Sequence, residues 1–315
     1  MPQTSIALLL ALVLGQRGED GEPRSPRAPA WSEVIEWRVD PTVVTSADLR
    51  HAIDASGLPW RVRDKRTRME LLLVPPAVLQ PVADSDASDH GDRSVTGSPF
   101  YLGRFEVTQQ QWSCLMEIDP SAKRSLMDDR SILATLKEAG LTEAQAADML
   151  KRFPAVGPSD GVARQQLPVH DVSRDDCMEF CRRGGFRLPT EEEWCAVVAA
   201  DAASEWRSKL GERAWHRGNS DLAAQAVGEK SASSMGFYDL LGNVWEWCAP
   251  TNSSTIQAES IVDDSGRVRS RPGTRGVLRG GGWFTRPAVC DPTSSLVYET
   301  TLSNVTFGLR VARDP

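Results

Sequence analysis

Residues 236–248 read GFYDLLGNVWEWC, and the carboxylate near their end constrains the fold more than any other feature. Read as a strand, the stretch sends alternate side chains to opposite faces. Trp245 and Trp247 then share one face, while Val244, Glu246 and Cys248 share the other. Both faces are too apolar for open solvent, so Glu246 is expected to be enclosed. A buried carboxylate is costly unless it is paired or bound to a metal. The fold must therefore bring something cationic to Glu246.

The chain of 315 residues carries ten Trp against three Tyr, an imbalance that points to aromatic side chains holding an irregular, loop-rich fold together. An apolar fraction of 40% over that length suits one large or two small globular domains rather than disorder. A net charge of −7 gives no sequence-wide reason to expect nucleic acid. The one basic cluster, RVRDKRTR at residues 61–68, alternates as a solvated strand face does.

At the N-terminus, IALLLALVL (residues 6–14) is too short to span a bilayer comfortably. With Val13 and Gly15 ahead of Gln16, it resembles a secretory signal peptide over residues 1–15, although MPQTS lacks Lys and Arg. An N-terminal core helix is the alternative. Residues 16–30 read as linker and residues 31–68 as an N-terminal extension. A secreted or periplasmic chain with no membrane span after cleavage is the expectation. Its six cysteines, at 114, 177, 181, 195, 248 and 290, would then be compatible with disulfides, although none forms a CxxC pair. Cys177 and Cys181 fall on one face of an expected helix with no His to complete a zinc site. Buried packing is expected for five of the six.

Ser46 is expected to cap a helix running to Ala55, ended by Gly57 and Pro59. MELLLVPPAVL (69–79) reads as a buried strand stopped by its prolines. The acidic loop DSDASDHGD (84–92) fails as an EF-hand, because Asp89 stands where the turn needs Gly and Val95 where Glu is required. Thr108 caps a helix after the strand in FYLGRFEVTQQQW (100–112). Two helices are expected over 128–153, the second opened by the capping box Thr142-x-x-Gln145. Ser173 and Thr190 cap two more, with Glu191, Glu192 and Glu193 in the first turn of the latter.

The ordered set EVTQQQW, LPVHDVS, FRLPTEEEW, GFYDLLGNVWEW, VLRGGGW and FGLRVAR resembles the formylglycine-generating enzyme, or sulfatase-modifying factor, family across residues 69–313. The resemblance implies a single α+β domain with a formylglycine-generating-enzyme-like, C-type-lectin-like fold that is poor in regular structure, with 128–153 as a helical insertion. It also implies a cation for Glu246. Family members that bind calcium here use positions matching the side chains of Asp239 and Glu246 and the main-chain carbonyls of Gly242 and Val244. Hard oxygen donors on a tight glycine turn suit calcium. An Arg, or backbone N–H groups, could satisfy Glu246 instead.

The chemistry departs from the family. Its oxidases convert a substrate cysteine to formylglycine with two cysteines that hold copper(I), for which soft thiolates are apt ligands. Here the loop reads RGGGWFTRPAVC, with Gly282 at the family's Ser, Thr285 at the first Cys and Cys290 at the second. A Thr hydroxyl is a poor copper(I) ligand, so copper is not expected. The resulting expectation is an exported binding or accessory module for a protein or peptide, or a carbohydrate. The alternative is a divergent formylglycine-generating oxidase acting on a protein cysteine through Cys290 alone. Cys290 itself is either an activated thiol or a small buried hydrophobe. The chain has four His without metal spacing and no Walker, GxSxG or HExxH motif.

Overall fold

The computed structural model describes residues 27–79, 97–118, 120–121, 137, 142–145, 166–201, 203–250, 260–262, 268–271 and 273–315. The signal-peptide expectation, the loop at 84–92 and most of the helical insertion lie outside these residues, as does most of the linker. Within the insertion, the box at Thr142 is present: Thr142 N–H donates to Gln145 Oε1 and Gln145 N–H to Thr142 Oγ1.

In chain order the strands and helices are β1 (Ser32–Glu36), α1 (Ala47–Ala55), β2 (Arg61–Asp64), β3 (Glu70–Val74), β4 (Phe100–Gly103), α2 (Gln109–Ser113), α3 (Arg174–Gly184), α4 (Glu191–Ala199), α5 (Ala203–Ser208) and α6 (Leu210–Arg213). There follow β5 (Trp245–Trp247), β6 (Ser260–Val262), β7 (Val268–Ser270), β8 (Arg275–Arg279), β9 (Ser295–Glu299), β10 (Phe307–Gly308) and β11 (Ala312–Arg313). Short strands and long connections make this a loop-rich α+β fold. One antiparallel sheet has the order β1-β2-β3-β4-β11, so the last strand returns to close on the fourth. A second has the order β10-β5-β8-β9, with β10 parallel to β5 and the other pairs antiparallel. β6 and β7 form a separate pair.

Residues 31–68, read as an N-terminal extension, supply β1 and β2 to the first sheet. The expected strand at 69–79 stops at Val74, because Pro75 and Pro76 donate no ladder hydrogen bond, and Pro76–Leu79 becomes a 3-10 turn. The basic cluster behaves as a paired strand face: Arg61 meets Glu36 and Glu70, both at 2.8 Å, and Arg63 meets Glu70 at 2.9 Å. The caps read from the sequence all form. Ser46 accepts from Leu49 N–H, and Thr108, Ser173 and Thr190 make reciprocal boxes with Gln111, Asp176 and Glu193. Each such cap contributes about 1 kcal/mol by satisfying a free helix N–H. They fix where the helices start against a core in which Trp112, Trp194 and Trp247 are fully buried.

All six cysteines are free; Cys177, Cys181, Cys248 and Cys290 are buried, Cys195 is half-buried and Cys114 is exposed.

Candidate functional site

The turn leading into β5 is fixed by backbone that ordinary side chains resist. Asp239, Gly242 and Asn243 all have left-handed φ, of 52°, 84° and 52°. A Cβ on Gly242 would lie 2.3 Å from the Trp215 carbonyl, so only glycine fits there. Asn243 holds the turn through its side chain, accepting from Gln225 N–H at 2.9 Å and donating to Glu106 at 2.6 Å. Glu106 in turn accepts from Val244 N–H at 3.0 Å.

Glu246 then points inward with no exposed surface, as its flanking tryptophans require. The cation that it meets is Arg310. Arg310 Nε donates to both carboxylate oxygens at 3.1 Å and Nη2 to Oε1 at 2.7 Å, while Trp194 Nε1 donates to Oε2 at 2.8 Å. The remaining guanidinium donors reach Gly103 O at 2.9 Å and Tyr238 O at 2.7 Å. Arg310 thus ties β4 of the first sheet to β5 of the second. It sits two residues beyond the parallel pairing of Gly308 with Glu246. Sequence reasoning left the partner open between metal, Arg and backbone, although Arg310, set inside the apolar run FGLRVA, was a signal of the same kind as Glu246.

Two more buried carboxylates face this pair. Burial, together with the charges of Asp239 and Glu246, holds Glu106 well above the usual carboxylate range. Asp239 accepts from Gly228 N–H at 2.7 Å through Oδ2, and burial pushes its carboxyl up to about 6. Its Oδ1 is buried without a hydrogen-bond partner. Of the four positions matched to calcium, Asp239 therefore offers a free oxygen that suits a hard cation, while both oxygens of Glu246 are engaged by Arg310 and Trp194. Gly242 and Val244 flank Asn243 on the turn between them. Among the described residues, no three His, Cys, Asp or Glu side chains converge as a metal cluster.

The loop after β8 is built differently. Gly280 and Gly281 have φ of 98° and 85°, and added Cβ atoms would lie 2.9 Å from Leu240 O and from Cys290 Sγ respectively. Close packing accounts for these glycines. Thr285 folds back on Gly282: its Oγ1 accepts from Gly282 N–H at 2.9 Å and from Trp245 Nε1 at 3.1 Å. The chain at Pro287 forms a 3-10 turn over Pro287–Val289, in which Val289 N–H bonds back to Arg286 O at 2.9 Å. Cys290 ends that turn with 3% of its surface exposed. Burial alone pushes its thiol up to about 12. Arg279, one of two cations near it in sequence, is committed to Glu191 and to the carbonyls of Thr293 and Ser294. Arg286, the other, is exposed. An activated thiolate needs a cation or helix N-terminus beside it. Arg207, which reaches the adjacent Asp291, is paired with that carboxylate, and among the described residues burial alone acts on this thiol. Thr285 and Cys290 do come to one place, against the neighbouring glycines 282 and 281.

The family model for the sulfatase-modifying factor enzyme 1-like domain matches residues 63–315. The formylglycine-generating enzyme of Thermomonospora curvata is 26% identical over 266 residues, covering 71% of this chain and 84% of that protein. Chaperone protein LppX of Paenibacillus barcinonensis is 23% identical over 253 residues, covering 72% of this chain and 84% of that protein. The mouse inactive C-alpha-formylglycine-generating enzyme 2 is 34% identical over 149 residues, which span 39% of this chain and 48% of the mouse protein. Among solved structures, Treponema denticola variable protein 1 superposes with a TM-score of 0.51 at 19% identity, covering 78% of this chain and 95% of that one. The match over residues 63–315 includes the Glu246 turn, its Arg310 partner and the altered loop at 282–290, and the chain accordingly belongs to the sulfatase-modifying factor enzyme 1-like family.

Proposed function

We propose that the chain is an exported member of this family that has lost the copper(I) oxidase and serves as a binding or accessory module for a protein or peptide. The observation that carries this reading is the state of the loop at 282–290. A hydroxyl stands at the first thiol position and already accepts two hydrogen bonds, while the remaining thiol is buried and held protonated far above neutral pH. Copper(I) favours two soft thiolates, which this pair does not supply. That the mouse relative is named an inactive enzyme, and the Paenibacillus one a chaperone, agrees with a scaffold that outlives its chemistry. Titration with copper(I), alongside an aldehyde assay on a cysteine-containing peptide, tests it. Neither stoichiometric binding nor aldehyde is expected. Installing Thr285→Cys with Gly282→Ser is expected to begin restoring copper binding. Tight copper binding by the unaltered protein, lost in Cys290→Ser, would favour the divergent oxidase and overturn this reading.

Calcium at the Glu246 turn has one observation in its favour, the buried, unpartnered Asp239 Oδ1. Bound there, calcium would draw on Asp239 and main-chain oxygens, with Glu246 shared with Arg310. A ligand that binds only the folded state stabilises it by mass action. Chelator is expected to lower the melting temperature, with one calcium per chain by elemental analysis. An unchanged melt and no metal would leave Arg310 as the sole cation of this centre.

A further inference from the structure

Strand β9 ends the second sheet, and no described residue pairs with its outer edge. Its register decides which backbone groups face outward. Thr300 N–H donates to Thr274 O at 3.0 Å, which makes the even-numbered residues of β9 the hydrogen-bonded partners of β8. Leu296 and Tyr298 therefore turn their N–H and C=O groups toward Leu278 and Gly276. Those of Ser295, Val297 and Glu299 point away from the sheet, and the Glu299 carbonyl there already accepts from Leu302 N–H at 3.1 Å. The side chains of the same three residues are exposed, Val297 to 49%. Edge strands are normally blunted by Lys, Pro or a bulge. SLVYE contains neither residue, and its register with β8 runs unbroken.

We propose that this edge pairs with β9 of a second copy of the chain, antiparallel about a two-fold axis through Val297. The sequence of the strand is complementary to itself under that operation. The axis places Val297 opposite Val297, and Ser295 opposite Glu299 of the second copy. The outward N–H groups of Val297 and Glu299 then each meet an outward C=O, while that of Ser295 shares the Glu299 carbonyl with Leu302 N–H. The Ser295 hydroxyl donates to the facing carboxylate, and no like charges stand opposite one another. Val277, in register with Val297 on β8, extends the apolar row across the joint. A two-fold contact of this kind closes at the dimer, because each β9 edge is then occupied by the other. The two four-stranded sheets become one of eight strands.

Sedimentation equilibrium of the intact protein over a concentration series tests the proposal, and a reversible dimer is expected. Val297→Pro removes an outward N–H while leaving every β8–β9 hydrogen bond in place, so a monomer with an unchanged melting temperature is expected. Val297→Lys sets two like charges together at the axis and is expected to weaken association by roughly tenfold or more. If the proline variant does not fold, the lysine variant decides. A wild-type protein that stays monomeric throughout overturns the proposal, as does a dimer unaffected by a folded variant at Val297.

Discussion

Adjacent residues of β5 serve two regions of opposite character. Glu246 enters the interior, where Arg310 and Trp194 supply its donors and the spare guanidinium groups are spent on two main-chain carbonyls. Trp245 leans on the loop at 282–290, where its indole N–H meets the hydroxyl of Thr285. The first region is a closed network in which each member answers another. The second is a glycine-packed loop whose buried Trp283 and Cys290 are held by packing and by hydrogen bonding such as Trp283 Nε1 to Val305 O, without a buried ion pair of its own among the described residues. Removing one member of a buried ion pair strands the other charge. Replacing a loop thiol by a hydroxyl of similar size strands nothing, because Gly282 N–H and Trp245 Nε1 then have an acceptor. A hydroxyl can therefore stand in the loop while the Glu246 centre, and the fold with it, is left intact.

The sharpest way to break this contrast is at Arg310. Arg310→Met should destabilise the protein by about 3–5 kcal/mol, the cost of leaving a buried carboxylate unpaired. Urea unfolding measures it. A loss under about 1 kcal/mol would mean that Trp194 and a proton satisfy Glu246 without the guanidinium. The double variant Glu246→Gln with Arg310→Met should recover part of the loss, because no charge is then left buried.

The same contrast marks what the sequence could disclose. Local grammar was legible: Ser46, Thr108, Ser173 and Thr190 cap helices because a cap needs only the next three residues. The enclosure of Glu246 was legible too, from the period-two pattern of its neighbours. Its partner was not, since Arg310 lies 64 residues away and arrives only through the parallel pairing of β10 with β5. Long-range pairing leaves no periodic trace. For the same reason the sequence of residues 31–68 did not disclose that β1 and β2 are two of the five strands in the first sheet. Glu106, the third carboxylate of the buried centre, was missed because it sits in EVTQQQW and meets Asn243 only across 137 residues.

The effect that is smallest at neutral pH sharpens the comparison from the loop's side and concerns Cys290. Burial raises its thiol from an ordinary 9.0 to about 12, so the folded protein keeps a proton that the unfolded chain releases. The unfolded state then binds fewer protons above pH 9, and stability must fall as pH rises through that window. The loss for this one group is about 1.4 kcal/mol per pH unit between the two values, and none below. Cys177, Cys181 and Cys248 are raised by burial in the same direction, so the alkaline decline is shared. Cys290→Ala should flatten the stability curve above pH 9 while leaving it unchanged at pH 7, apart from a small packing cost. Alkylation gives an independent reading: at pH 8 the exposed Cys114 should react with iodoacetamide, and Cys290 only on unfolding. Rapid labelling of Cys290 in the folded protein would show a thiolate within reach of solvent, and the loop would then keep a chemistry that its packing otherwise denies.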